Sequence, residues 1–191
     1  MARSYTLKKR ADQQAETRRR IVEAAVDLHG SVGPAQTTLS MIAERAGVQR
    51  NTLYAHFPDE RSLFMACSGL VMERDALPVT ESWKLINDID QRLKTGLSEL
   101  YGWYERNAAV TAAVLRDAES HALTQEIFAF RSEPFFAACR AVLGETLSAR
   151  QLAMLELALS FHTWRTLVKE QHLTSPAAAE TMAGAISTIE F

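Results

Sequence analysis

The chain has 191 residues, 47% of them apolar and 23% charged, with a formal net charge of −2. That length can bury a real core in one large or two small domains, and the composition excludes a disordered chain. No apolar run approaches the roughly 18–20 residues of a membrane helix, and no apolar stretch follows the basic N-terminus as a secretory signal would, so a cytoplasmic protein is expected.

Residues 1–10, MARSYTLKKR, show no periodicity and read as a basic flexible arm. A helix is predicted from about Ala11 to Val32, where Ile21, Ala24, Ala25, Leu28 and Val32 form one apolar stripe. Arg18, Arg19 and Arg20 lie toward its N-terminal side. Cations there oppose the helix dipole, which favours a phosphate-facing role over helix stability. Gly33-Pro34 ends the helix in a turn. Thr38 can cap a short helix that buries Leu39, Ile42, Ala43 and Ala46. Gly47 follows, where a left-handed residue is cheap only for glycine. A second short helix, about Gln49–His56, has Leu53 and Phe57 to bury. It leaves Gln49, Arg50, Asn51, Thr52 and Tyr54 facing outward. Pro58 breaks it, and Asp59 caps a connector helix running to about Leu77. Residues 11–58 are therefore expected as one small domain and 59–191 as a connector and body.

The body reads as helix throughout, in segments of about Lys84–Asn107, Ala108–Glu119, Leu123–Leu143, Ala149–His172 and Pro176–Ile189. Ser148 with Gln151 forms a capping box, and Ser175-Pro176 gives a cap followed by proline at the first helical position. Pro134 is expected to kink or divide its segment. No β-alternation or internal repeat is visible, so the fold class is all-α, with about nine helices. The Ala149–His172 helix carries two apolar rows and is either the central core helix or meets a second subunit. Cys67 and Cys139 match no metal or CxxC spacing and read as buried thiols in a reducing compartment. Residues 1–56 hold nine Lys/Arg against five Asp/Glu, whereas residues 57–191 hold twelve against eighteen. A basic head on an acidic body suits a protein whose head alone meets phosphate.

Two short helices around a tight turn, the second polar at its N-terminal end, make a helix-turn-helix. Arg can fork onto a guanine edge, Asn can pair with adenine, and Thr and Tyr hydroxyls suit phosphate oxygens. The order T-T-x-x-x-I-A-x-x-A-G-V-x-x-x-T-L-Y-x-H-F-x-x-x-x-x-L closely resembles the DNA-binding segment of the tetracycline-repressor (TetR) family. It runs through Thr37, Thr38, Ile42, Ala43, Ala46, Gly47, Val48, Thr52, Leu53, Tyr54, His56, Phe57 and Leu63. The likeness is strong over about Glu16–Leu63; beyond that only a helical plan is shared.

The resemblance implies a ligand-responsive repressor that binds a palindromic double-stranded DNA operator as a homodimer. A small hydrophobic or aromatic effector would release it. DNA contacts are expected from Arg18, Thr38, Gln49, Arg50, Asn51, Thr52, Tyr54 and Arg61, and from His56 unless it makes a structural bond at the helix end. Two departures from the family pattern stand out. Glu60 replaces the usual lysine, so either Arg61 substitutes for it or that phosphate contact is absent. Gln49 replaces a better cap. Trp103, Tyr104, His121, Phe128, Phe161, His162 and Trp164 are either an effector pocket or plain core. Leu155, Leu159, Met182, Ala185, Ile186 and Ile189 are expected at a dimer interface, since the family pairs its last two helices across a two-fold axis. No cofactor, metal site or catalytic residue is expected. An enzyme reading finds no HExxH, phosphate loop or nucleophile elbow, and a protein-interaction module with a vestigial head has only Glu60 in its favour.

Overall fold

The computed structural model describes the backbone of residues 2–189 and the side chains of residues 8–189. Ten α-helices account for most of it: α1 Ala2–Ser31, α2 Leu39–Arg45, α3 Arg50–His56, α4 Glu60–Arg74, α5 Ile89–Arg106, α6 Ala108–Ala118, α7 Ala122–Leu143, α8 Ala149–Leu159, α9 Phe161–Arg165 and α10 Ser175–Ser187. Short 3₁₀ turns cover Pro34–Gln36 and Thr80–Leu85, and Thr166–Glu170 is a π-helical turn. The described residues contain no strand, as the sequence predicts. Helix α1 continues back to Ala2, through most of the segment expected as an arm. Met1 and the side chains of residues 2–7 lie outside the described residues.

The chain divides into two compact units, residues 1–74 with 112–128, and residues 75–111 with 129–191. The boundary expected at residue 58 is thus displaced, for a physical reason. Helix α4 buries Leu63 and Cys67 in one cluster with Ile21, Ala25 and Leu28 of α1, Ile42 of α2, and Leu53 and Phe57 of α3. At about 25 cal/mol per Å² of apolar surface, burial of these α4 side chains adds to the stability of the same cluster. Val32, expected to end the α1 stripe, falls beyond the helix and is exposed.

In the second unit, α5 is the helix on which the others are assembled. It starts at Ile89, later than expected, because the Asp88 carboxylate accepts from Gln91 N at 2.7 Å and caps it there. Leu93, Leu97, Leu100 and Tyr101 form its fully buried face. Arg92 donates to the carbonyls of Ile86 and Val142 and pairs with Glu145, tying the start of α5 to the end of α7. Pro134 lies inside α7 without ending it. The long helix expected over Ala149–His172 is interrupted at Ser160, which is extended and caps α9 through a bond from His162 N. The capping box of Ser148 and Gln151 forms as predicted. The cap of α10 is one residue earlier than expected, because Thr174 accepts from Ala177 N while Ser175 is buried and accepts from Trp164 Nε1. No described helix is long and apolar enough to cross a membrane.

Candidate nucleic-acid interface

Three local signals shape the head. Thr38 is extended, and its hydroxyl accepts from Met41 N at 3.2 Å, starting α2. Gly47 takes φ +64, the left-handed turn that lets α3 leave α2 at an angle. Gln49 stands at the N-cap of α3 without a side-chain capping bond, so its amide remains exposed.

With Leu53 and Phe57 drawn into the core, the opposite face of α3 is left to solvent. Gln49, Arg50, Asn51 and Tyr54 are exposed there, while Thr52 and His56 are half-buried. Arg50 Nη2 donates to Tyr54 Oη at 3.3 Å, one helical turn away. Thr38, Arg50, Tyr54 and Glu60 share the rim of a depression of about 350 Å³, with Phe64 and His121 also in its wall. The concavity thus brings three of the expected contacts, Thr38, Arg50 and Tyr54, to one rim.

The arginines of the head differ in their engagement. Arg18 lies over the Phe57 ring at 4.7 Å and remains exposed. Arg19, expected to face phosphate with Arg18 and Arg20, is held between Glu16 and Glu23 at 2.7 and 2.8 Å. Those i,i+3 and i,i+4 pairs support the helix instead. Arg45 pairs with Asp27, Arg74 with Glu23, and Arg61 with Glu126.

Behind this face, a polar clamp that the sequence did not disclose fixes the turn between α1 and α2. The buried Asp117 carboxylate accepts from Ala35 N at 2.8 Å and from Arg116 Nε at 2.7 Å, and Arg116 Nη2 donates to Val32 O at 3.1 Å. Although burial tends to raise the Asp117 pKa, Arg116 and the Ala35 amide hold it below the ordinary carboxylate value. Gly33 sits in the clamp at φ +105.

Residues 21–67 match the family described as bacterial regulatory proteins, tetR family. The head of this chain is thus of the TetR type. Over 85 residues it is 37% identical to the HTH-type transcriptional regulator SrpR of Pseudomonas putida, an alignment covering 41% of this chain and 40% of that protein. It is 28% identical over 106 residues to the HTH-type transcriptional repressor KstR of Mycolicibacterium smegmatis, covering 56% of this chain and 52% of the relative. The chain thus spans less than two thirds of the length of these curated relatives. A transcriptional regulator from Rhodococcus sp. Rha1 is similar in fold, with a TM-score of 0.63 at 20% identity over 88% of this chain and 95% of that one. So is a multidrug binding protein, EbrR, solved with imidazole, at a TM-score of 0.59 and 16% identity over 91% of this chain and 90% of that one. At such identities the likeness is one of fold.

Beyond the head, the residues expected to line an effector pocket are divided between the two units. His121 and Phe128 belong to the first unit. Trp103, Tyr104, Phe161 and Trp164 pack on one another in the second, with ring centres 5.2–5.9 Å apart. Their polar atoms are satisfied: Tyr104 Oη donates to Leu159 O at 2.6 Å, Trp103 Nε1 to Asp75 O and Trp164 Nε1 to Ser175 Oγ. These four are core. His162 is exposed, because the break at Ser160 turns it away from the apolar rows. His121 precedes α7, and its Nδ1 accepts from Thr124 N at 3.3 Å. It acts as a helix cap.

Of the residues expected at a dimer interface, Leu155, Leu159, Met182 and Ile186 are buried within the protomer. The faces of α8 and α10 that carry them are closed within the same chain, and Gln151 Nε2 donates to Ile186 O across the two helices. Ala185 and Ile189 are only half-buried. The outward faces carry exposed Ala153 and Leu157 on α8 and exposed Thr181 on α10, with Ala177 and Gly184 half-buried beside it. A Cβ on Gly184 would meet nothing within 4 Å.

Proposed function

We propose that the chain is a transcriptional regulator that reads a palindromic operator as a homodimer, with α3 in the major groove. One observation supports this most: the TetR-type head leaves Gln49, Arg50, Asn51 and Tyr54 exposed on a single short helix. Arg50 and Asn51 suit base edges, and Gln49 can pair with adenine. Tyr54, Thr38 and Thr52 suit phosphate oxygens, as do Arg18 and Arg61, while half-buried His56 fits a bond at the helix end. Replacing Arg50 with alanine should weaken operator binding by about 1–3 kcal/mol and relax preference at one base pair. Tyr54→Phe should weaken all sequences alike. Binding that survives both changes unaltered removes α3 from the reading role.

Pairing of subunits through the open faces of α8 and α10 fits their small residues, which permit close helix approach, and leaves Leu157, 56% exposed in the protomer, something to bury against. Release by a small hydrophobic or aromatic effector rests on the family alone. Its mechanism would be a population shift, in which the effector favours a conformer whose heads no longer match the operator.

A further inference from the structure

We propose that Arg61 is a phosphate-binding cation held in reserve by Glu126, so that the N-terminal part of α7 tunes the affinity of the head for DNA. The inference rests on the DNA-binding reading above and adds a regulatory contact to it. Arg61 lies in the first turn of α4, and its neighbour Glu60 lines the same depression as Thr38, Arg50 and Tyr54. Arg61 does not itself line that depression, but it stands one residue from it in the same helical turn. It is not idle there: Arg61 Nε and Nη2 both reach Glu126 Oε1, at 2.9 and 2.8 Å. Glu126 comes from a segment 65 residues away in the chain that is built into the same compact unit.

Both side chains of the pair are more than half exposed, at 59% and 52%. An exposed ion pair contributes little net free energy, so exchanging it for another anion costs little. A phosphate offers the guanidinium a charge-assisted, two-pronged acceptor of equal or greater strength. On binding, Arg61 leaves Glu126 for the phosphate, and Glu126 is left as an uncompensated carboxylate in the same unit as Glu60. Two acids near one backbone phosphate oppose the complex, and any movement of the α7 start that tightens or loosens the Arg61–Glu126 pair changes the balance. On this proposal, Arg61 replaces the contact that Glu60 forgoes.

The test is a double-mutant cycle on a fluorescently labelled random-sequence duplex, titrated at several salt concentrations with the intact protein. Wild type, Glu126→Gln, Arg61→Ala and the double variant are compared. Glu126→Gln should tighten binding about two- to fivefold at low salt, the scale of an exposed pair. Arg61→Ala should weaken binding and reduce the log–log salt slope by about 0.9, the value of one phosphate. In the Arg61→Ala background most of the Glu126→Gln gain should vanish. A gain of the same size with and without Arg61 makes Glu126 a mere background charge and overturns the proposal. So does an unchanged salt slope in Arg61→Ala. Absence of salt-dependent duplex binding in wild type is a different failure, which takes down the DNA-binding reading and this inference together.

Discussion

At the scale of single residues, the head holds one buried group out of balance with its surroundings. His29 is buried, its Nδ1 lies 3.4 Å from Cys67 Sγ and its ring 4.7 Å from Phe64, and Nε2 has no hydrogen-bond partner among the described residues. Burial pushes the imidazole down from 6.5 to about 4, an effect the Asp117 carboxylate opposes and His121 reinforces. The folded-state value lies below the unfolded one, so protonation favours unfolding. Stability is therefore complete above pH 6.5 and is lost as the pH falls through 4, by about 2–4 kcal/mol over that window. His29→Leu removes the titration and the orphaned nitrogen together. Urea midpoints between pH 6.5 and 5, above the range of ordinary carboxylates, should slope in wild type and flatten in the variant. Equal slopes in both would mean that His29 is solvated and not the source.

At the scale of elements, the turn between α1 and α2 shows how far a position can depend on contacts distant in sequence. Gly33 has φ +105, and a Cβ there would run into the Arg116 guanidinium and the Asp117 carboxylate. Gly33→Ala should cost at least about 2 kcal/mol, from positive-φ strain alone or with displacement of the clamp. Urea unfolding of the variant reads this directly, and a loss below about 0.5 kcal/mol would show that the turn relaxes without consequence. The sequence carries half of this device. Gly33-Pro34 announces a turn, just as Thr38, Gly47 and the Ser148–Gln151 pair announce their helix ends, because capping and left-handed turns are decided within a few residues. Nothing near Asp117 says that its carboxylate will accept from Ala35, since a bond spanning 82 positions leaves no periodic trace.

At the scale of the molecule, the same contrast separates what was legible from what was not. The all-α class and the polar face of α3 follow from local pattern: one face of α3 is apolar, so its opposite face must be the polar one. The inward and outward faces of α8 and α10 do not follow. Both apolar rows of the Ala149–His172 stretch are plausible core, and the break at Ser160, made without proline or glycine, changes which residues continue each row. The aromatic set was ambiguous for a related reason, since Trp103, Tyr104, Phe161 and Trp164 at helical spacing look alike whether they line a cavity or fill one. Their donors are satisfied and their rings in close contact, as in a filled core.

The central claim is that two such heads, related by a two-fold axis, read sequence through α3. Selection of bound fragments from random duplex DNA near physiological salt, followed by sequencing, tests it most directly. The account predicts a palindrome with half-sites about one helical turn apart, roughly 34–36 Å or a multiple of it, whose enrichment is lost in Arg50→Ala. Recovery of unspecific, salt-sensitive DNA alone, identical for wild type and Arg50→Ala, would contradict it and leave a basic head that no longer reads sequence.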